Sequence, residues 1–282
     1  MIEVNDLNFS YPGSDTEVLK GLNFQIAQGE IYGFLGPSGA GKSTCQKILY
    51  KTLTNYRGKI TIYNRELSNW DKNYFNYIGV GFELPNHYGK LTARENLELF
   101  SSFYSKDKLL PIANLVKLVG LDEEVDKRVS TFSKGMQMRL NYIRAIMHNP
   151  DILFFDEPTA GLDPVNAKMI KDHISLLREE GKTIFITTHN MTTADELCDR
   201  VAFLVDGEII LTEKPSVLKQ RYGTSSVKVE LRNGETDTFK LDGVGRNKHF
   251  IQFLQTDEVL RIHTMEASLE TVFIAVTGKK LL

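Results

Sequence analysis

Short, largely apolar runs recur along the chain and alternate with stretches of helical spacing. Such runs are typical of strands buried on both faces of a sheet. They occupy residues 31–35, 77–82, 152–155 and 183–188. Helical spacing follows at residues 45–53 and 134–148, and Asp163-Pro164 supplies a cap and a first-turn proline for another helix. This alternation predicts an α/β fold with a mostly parallel, doubly wound sheet.

Two regions of the first half depart from this alternation. Period-two spacing at residues 2–11 and 22–26 predicts two early strands, and we expect them to form an antiparallel sheet beside the core. From residue 92 to about residue 121 the apolar spacing is helical, and Thr92-Ala93-Arg94-Glu95 fits a capping box. A helical block between strands predicts an inserted helical subdomain, at about residues 84–149.

The pattern changes after residue 223 to short alternating segments separated by turn residues. Predicted strands lie at residues 227–231, 239–241, 250–254 and 259–262, and a closing helix lies at 268–276. We therefore expect two domains, a large α/β domain at residues 1–223 and a small β-rich C-terminal accessory domain at residues 224–282.

Nine residues after the first buried strand fit the phosphate-binding loop G-x-x-x-x-G-K-[ST] at every fixed position. Glycines let the backbone curl until its N–H groups converge on one anion, and the helix start adds a positive dipole end. Lys42 is expected to reach the outer phosphates, and the Ser43 hydroxyl is expected to ligate Mg²⁺. The predicted nucleotide-binding residues are Gly36, Pro37, Ser38, Gly39, Ala40, Gly41, Lys42, Ser43 and Thr44.

Ionisable side chains follow two of the predicted strands. Asp156 stands at a buried strand end, where an acid is costly unless it meets an ion or hydrogen bonds, so we predict a Mg²⁺ role with Ser43 through a bridging water. Glu157 comes next, points to the other side of the strand end, and is the candidate base that polarises the attacking water. His189 follows the strand at 183–188 on the ligand side of the sheet, where we predict a contact to the γ-phosphate.

Composition narrows the range of partners and compartments. Lys and Arg total 34 and Asp and Glu total 36, a net charge of −2, so no basic face is indicated and no nucleic acid partner is expected. Two cysteines, Cys45 and Cys198, are too few for a disulfide framework and fit a reducing cytosol. We see neither a signal-peptide pattern nor an apolar run of membrane-helix length, so we expect a soluble chain that reaches a membrane only through a partner.

The segment Phe132-Ser133-Lys134-Gly135-Met136 resembles the signature L-S-G-G-Q of the ABC ATPases. Over roughly residues 1–220 the order of elements is similar to that family: a base-stacking aromatic residue, the phosphate loop, a Q-loop, the signature, an acidic pair, a D-loop and a switch histidine. The corresponding positions are Tyr11, Gly36–Thr44, Glu83, Phe132–Met136, Asp156-Glu157, Ala160–Asp163 and His189. On its own Tyr11, just before a Pro-Gly turn, fits either a stacking residue or a half-buried strand residue.

The resemblance implies a protein that binds and hydrolyses ATP and uses Mg²⁺. It places Ser133 and Gly135, at the start of a helix, on the phosphate of a second subunit's nucleotide, and Asp163 in the nucleotide site. It places Glu83 on Mg²⁺ or its water. The second subunit is another copy of the chain or a paralogue, and two ATP molecules lie between the two in a head-to-tail dimer.

The C-terminal appendage resembles the extension of exporter-type ATPase subunits that serve separate membrane subunits, and residues 269–278 are similar to the ending found there. This implies ATP-driven dimerisation that powers export through two integral membrane subunits. The chain is then expected in the cytoplasm, peripheral on the inner face of the cell membrane, with membrane helices docked near residues 83–105. The alternatives are a soluble ABC ATPase acting on ribosomes, DNA or protein complexes, and an importer ATPase.

The sequence departs from the family pattern at three positions. Glu83 replaces the usual Gln and adds a negative charge near the γ-phosphate. Lys134 replaces the first signature Gly, and Met136 replaces the signature Gln. Lys134 is either a solvated side chain or a source of positive charge near the phosphate of the second subunit. The loop, the Mg²⁺ acid and the candidate base are unaffected.

Overall fold

The computed structural model describes residues 1–222, 225–256, 258–265 and 267–278. The chain divides into two compact units, and the second begins at Glu213, earlier than the expected domain boundary at residue 224. None of the helices in the described ranges is both long and apolar enough to cross a membrane.

The first unit contains two sheets. The strands of one are β1 (Ile2–Ser10), β2 (Glu17–Ile26), β4 (Arg57–Ile62) and β5 (Arg65–Glu66), which pair antiparallel in the order β2-β1-β4-β5. The strands of the other are β3 (Ile31–Leu35), β6 (Ile78–Gly81), β7 (Ile152–Asp156), β8 (Thr183–Thr188), β9 (Arg200–Val205) and β10 (Glu208–Glu213), in the order β10-β9-β3-β8-β7-β6. β3 pairs in parallel with β8 and β9, and β7 pairs in parallel with β6 and β8. The expected α/β fold with an antiparallel sheet beside a mostly parallel one is confirmed.

Aromatic side chains from both sheets share one buried core. Phe34 on β3 packs edge-on against Phe24 on β2 and Phe185 on β8, with ring centroids 5.0 and 4.8 Å apart. Phe154 on β7 extends the cluster, because its ring also meets Phe185 edge-on. Such pairs contribute about 0.5–1.5 kcal/mol each beyond the apolar area that they bury. This packing holds the three central parallel strands in fixed positions.

The helices of the first unit follow the predicted pattern in most places. They are α1 (Lys42–Leu49), α2 (Ala93–Ser101), α3 (Ile112–Leu118), α4 (Lys134–Ile146), α5 (Pro164–Glu179) and α6 (Met191–Leu197). The capping box of α2 is present, since Thr92 Oγ1 accepts from Glu95 N–H at 3.1 Å and Glu95 Oε2 accepts from Thr92 N–H at 2.7 Å. The helical spacing of residues 92–121 resolves into two helices. The first ends at Ser101, and the second begins at Ile112, directly after Pro111.

Helix α1 is displaced toward the N-terminus relative to the prediction of residues 45–53. It begins at Lys42, so the last three residues of the phosphate-binding motif form its first turn. It ends at Leu49 because Lys51 adopts a left-handed φ of 61°, and the N–H groups of Thr52 and Leu53 turn back to the Lys47 carbonyl at 2.8 and 3.1 Å.

Buried polar groups connect the helical block to strand β6. On α4, Asn141 Nδ2 donates to the Phe82 carbonyl at 2.8 Å. The His148 ring lies 2% exposed just after this helix, with Nε2 2.8 Å from the Ile78 carbonyl, and it stacks on Tyr104 with ring centroids 3.8 Å apart. Because the carbonyl only accepts, His148 Nε2 donates. These contacts orient the helical block against the edge of the parallel sheet.

The second unit is a small sheet with helices. Its strands β11 (Ser226–Leu231), β12 (Thr236–Lys240) and β13 (Val259–Met265) pair antiparallel in the order β12-β11-β13. Its helices are α7 (Pro215–Tyr222), α8 (Lys248–Thr256) and α9 (Leu269–Thr277). The strand predicted at residues 250–254 is wrong, because Phe250, Phe253 and Leu254 lie on one face of α8 and pack against the apolar face of β11.

Acid is expected to destabilise the first unit through His148. Burial, together with the charges of Lys108 and Lys182, lowers the pKa of this imidazole to about 4. Below about pH 6.5 the unfolded chain binds a proton that the folded imidazole does not, so the free energy of unfolding falls between about pH 6.5 and 4, by up to about 1.4 kcal/mol per pH unit. Urea unfolding followed by Trp70 fluorescence checks this.

The matched variant is His148→Phe, which keeps a ring for stacking on Tyr104 and removes the titrating group. The variant is less stable at pH 7.5 because the hydrogen bond to Ile78 is lost, but its stability declines less steeply toward low pH. If the free energy of unfolding declines equally with falling pH in both proteins, His148 is not the cause of the decline. Part of the slope remains in either case, because burial lowers the pKa of His87 to about 4 as well.

Candidate functional site

Residues 36–44 join the end of β3 to the first turn of α1. Within the loop, Ala40 N–H donates to the Pro37 carbonyl at 3.2 Å. The turn after β9 supports the loop from outside, since Gly207 N–H donates to the Ala40 carbonyl at 3.2 Å. The curl is therefore held by the loop itself and by a neighbouring strand end.

Two glycines of the loop are required by close approach. A Cβ at Gly36 would lie 2.0 Å from the carbonyl oxygen of Leu204 on β9. Gly41 caps α1 with a left-handed φ of 105°, and a Cβ there would lie 2.6 Å from Leu19 Cδ2. A larger residue at Gly36 would push the loop away from β9, and a larger residue at Gly41 would need a backbone conformation that side chains disfavour.

Lys42 is buried inside the curl of the loop. Its Nζ donates to the carbonyl oxygens of Gly36-Pro37 at 2.7 and 2.9 Å. Burial lowers the pKa of this ammonium, and the carboxylates of Glu157, Asp156 and Glu83 oppose that shift. The structure thus brings the predicted phosphate-binding lysine and the three predicted acids into one electrostatic environment, although Glu83 itself is exposed on the segment after β6.

Asp156 is the last residue of β7 and lies half-buried at the sheet edge. Thr187, its parallel partner on β8, donates from Oγ1 to Asp156 Oδ1. Ser43, in the first turn of α1, is also half-buried. A carboxylate oriented by a neighbouring strand and a hydroxyl at a helix start are the kinds of oxygen ligand that Mg²⁺ takes from proteins.

Glu157 and His189 lie in direct contact. Glu157 is buried, with a left-handed φ of 50°, and its N–H donates to the Thr187 carbonyl at 2.9 Å. Its Oε1 accepts from the His189 N–H at 2.8 Å and lies 2.6 Å from His189 Nδ1, while its Oε2 accepts from Thr188 Oγ1 at 2.8 Å. The end of β8 therefore fixes the orientation of the candidate base, and the exposed imidazole presents its other nitrogen, Nε2, outward from this pair.

Tyr11 lies directly after β1 and connects to the phosphate loop. Its hydroxyl is 3.1 Å from Thr44 Oγ1, and its ring packs edge-on against Phe9 at 5.0 Å. The side chain remains 39% exposed. This position fits a residue at the border of a nucleotide site, and base stacking stays a prediction.

Ser133, Gly135 and Asp163 lie in a second cluster. Ser133 caps α4, accepting from the Met136 N–H at 3.2 Å. A Cβ at Gly135 would lie 3.6 Å from the Gly161 carbonyl oxygen, so the start of α4 touches the segment before α5. Asp163 caps α5, with Oδ1 accepting the N–H groups of Val165-Asn166, each at 3.1 Å. We call residues 133–135 with 160–163 the signature face.

Gln46 is a site residue that the sequence pattern did not single out. It is 1% exposed on α1, and its Nε2 donates to the Phe155 carbonyl at 3.0 Å and the Phe185 carbonyl at 3.2 Å. It ties the helix after the phosphate loop to both strands that carry the acidic and imidazole groups. The available signal was an amide next to Cys45, Ile48 and Leu49, the apolar residues of α1 that enter the core.

Two family profiles match the chain. Residues 19–160 match the ABC transporter family, and residues 225–266 match the fluoroquinolone efflux ABC transporter C-terminal domain. The first match contains the phosphate loop, the signature segment and the acidic pair, and the second lies within the C-terminal unit. The resemblance seen in the motifs is therefore confirmed by independent comparison.

Similar proteins and structures agree with the profiles. A fluoroquinolones export ATP-binding protein of Mycobacterium tuberculosis (strain H37Rv) is 47% identical over 100% of this chain and 94% of its own length. A Nod factor export ATP-binding protein of Bradyrhizobium diazoefficiens is 32% identical over 95% of this chain and 94% of its own.

Among solved structures, the ATP-binding subunit of an ABC transporter superposes with a TM-score of 0.71, at 28% identity over 79% of this chain and 93% of that one. A dimeric ATP-binding cassette in a post-hydrolysis state, bound to ADP and Pi, superposes with a TM-score of 0.69, at 28% identity over 76% of this chain and 98% of that one. On the family profile, the full-length identity and the shared fold, this chain belongs to the ABC transporter family, as an ATP-binding subunit.

Proposed function

We propose that this chain is the Mg²⁺-dependent ATPase subunit of an exporter and drives transport through two partner integral membrane subunits. The single observation that carries the proposal is the meeting of the phosphate loop, Asp156 and Glu157 with His189 at one edge of the parallel sheet. The compartment follows from this role: the chain works in the cytoplasm, peripheral on the inner face of the cell membrane.

The residues present fit a Mg²⁺ ion. Mg²⁺ usually takes one or two protein oxygens and fills its remaining positions with water and phosphate. Ser43 and Asp156 offer such oxygens, Glu83 lies near the same lysine, and the described residues contain no group of three or more His, Cys, Asp or Glu side chains that could hold a metal alone. When bound, the ion neutralises charge on the phosphates.

Binding and chemistry divide between the groups of the site. The N–H groups of the curled loop and the ammonium of Lys42 hold the phosphates. Glu157, oriented by Thr188 and His189, accepts a proton from the water that attacks the γ-phosphorus. His189 stabilises the γ-phosphate from the outward side of the pair, and Tyr11 stacks on the base.

We propose that the nucleotide site is completed by a second subunit, a copy of this chain or a paralogue. Ser133, Gly135 and Asp163 lie together on the signature face, where a helix start supplies N–H groups and a positive dipole end. In a head-to-tail dimer, this face of each subunit meets the nucleotide of the other. The dimeric cassettes among the similar structures support this arrangement.

The full-length relatives and the C-terminal profile favour export of drug-like compounds, specifically of the fluoroquinolone class. The partner membrane subunits carry that specificity, and they dock near residues 83–105. The C-terminal match to an efflux transporter domain disfavours an ATPase that serves ribosomes, DNA or another non-membrane complex. An importer is disfavoured on the same ground.

Removing the charge of Glu157 tests the hydrolytic role. Glu157→Gln should lower ATP turnover by at least about 100-fold, because a general base contributes roughly 10²–10⁴ in rate. ATP binding should persist, and the ATP-bound dimer should accumulate in size-exclusion chromatography with light scattering. Turnover close to that of the unmodified protein would remove Glu157 from the chemistry.

Lys42→Ala tests the phosphate loop. Loss of a charge-assisted contact should weaken ATP binding by roughly 10- to 100-fold in calorimetry. Lys59→Ala is the matched control, because Lys59 lies exposed on β4 of the antiparallel sheet. Equal ATP affinities of Lys42→Ala and the unmodified protein would show that Lys42 does not bind the phosphates.

Two observations in cells test the transport role. The tagged chain should co-purify with an integral membrane protein in mild detergent. Loss of the chain should raise fluoroquinolone accumulation and sensitivity, and the unmodified chain but not Glu157→Gln should restore resistance. Co-purification with ribosomes or DNA instead, or unchanged accumulation, would argue against the export role and its drug class respectively.

A further inference from the structure

Lys134 places a cation where the local structure disfavours one. It is the first residue of α4, directly after the cap Ser133, and it is exposed. The positive end of a helix dipole repels a cation in the first turn, which is where acidic residues are usually stabilising. Its ammonium forms no ion pair with any residue in the part of the chain that the structure describes. The fold therefore does not compensate this charge.

The Lys134 side chain lies along the D-loop. A Cβ placed on Gly161 would meet Lys134 Cε at 3.2 Å, Cδ at 3.3 Å and Nζ at 3.6 Å. Gly161 has a left-handed φ of 72° and no side chain, so the lysine stem packs directly over its backbone. The ammonium is therefore held on the signature face.

Asp163, the acidic residue of the signature face, already has hydrogen-bond partners. Asp163 Oδ1 accepts two N–H groups at the start of α5, and its Oδ2 accepts from Asn166 Nδ2 at 2.5 Å. These bonds lower the pKa of Asp163, with the Asn166 side chain as the largest cause. The Asp163 carboxylate stays ionised but is turned onto the start of α5. Within the described residues, the Lys134 charge therefore remains unpaired beside the start of α4, on the face that the proposed dimer turns toward a triphosphate.

We infer that Lys134 is a phosphate-binding residue of the dimer, one that contacts the terminal phosphates of the nucleotide held by the second copy. The inference rests on the proposed function, because it needs the ATP-bound dimer. This assigns a role to the lysine that replaces the first signature glycine: it adds a positive charge to the backbone N–H groups of this segment. Lys134 contributes nothing to nucleotide binding within its own subunit.

The test measures the ATP-driven dimer in the Glu157→Gln background, where hydrolysis does not deplete it. Lys134→Met keeps an apolar stem for packing over Gly161 and removes the charge, and Lys134→Arg keeps the charge. The dimer dissociation constant is measured by analytical ultracentrifugation with Mg-ATP. Lys134→Met should raise it at least about ten-fold, because a hydrogen bond to a charged group is worth about 1.5–3 kcal/mol. Lys134→Arg should change it less than about three-fold.

Two controls separate the possible causes. Lys59→Met removes the same charge from the antiparallel sheet and should leave dimerisation unchanged. ATP affinity of the dilute monomer should be equal in all variants, and the Met variant should show a weaker salt dependence of dimerisation. If the Lys134→Met variant dimerises like its parent, or if Lys134→Met and Lys134→Arg weaken dimerisation equally, the charge of Lys134 has no such role. If the Glu157→Gln parent itself never dimerises, the proposed function fails first.

Discussion

The parallel pairing of β3, β8 and β7 is the constraint on which the rest of the site depends. In this register Leu35 lies beside Thr188, and Asp156 lies beside Thr187. The phosphate loop, the acidic pair and His189 therefore leave the sheet at the same edge. Parallel strands require crossover connections, and here helices such as α5 return the chain so that each strand ends where its neighbour ends. Strand pairing brings groups far apart in sequence to one edge, and side-chain contacts such as that of Glu157 with His189 then orient them.

At that edge the positive charge of Lys42 lies near the negative charges of Glu157, Asp156 and Glu83. Lys42 is buried against carbonyl oxygens, and carboxylates on nearby elements act on its pKa against the effect of burial. Glu157 adopts a left-handed backbone conformation, which costs of the order of 1–3 kcal/mol and persists only because its surroundings hold it in place. The end of β8 supplies that fixation through a backbone hydrogen bond to Thr187 and side-chain contacts from Thr188 and His189. A site arranged in this way is oriented before its ligand arrives.

The signature face is built by different elements from those that hold the phosphate loop. It depends on two helix caps, Ser133 and Asp163, and on close contact between the start of α4 and Gly161. In the proposed mechanism the two halves meet only across a two-fold axis, so that ATP binding and association of subunits become one equilibrium. The same helical block that carries α4 is tied to β6 by Asn141 and His148, which connects this face mechanically to the parallel sheet.

The sequence by itself determined the strand–loop–helix setting of the phosphate loop, the fold class, and the caps at Thr92 and Asp163, because all of these depend on local spacing and backbone chemistry. It misplaced residues 250–254, since five residues rich in apolar side chains fit either period and only packing against β11 selects a helix. The hydrogen bonds from Gln46 to two strands, the contact of Glu157 with His189, and the packing of Lys134 over Gly161 were decided by the tertiary structure. Each joins residues distant in sequence or on different elements, so its geometry is set by strand register and helix packing, which local patterns do not encode.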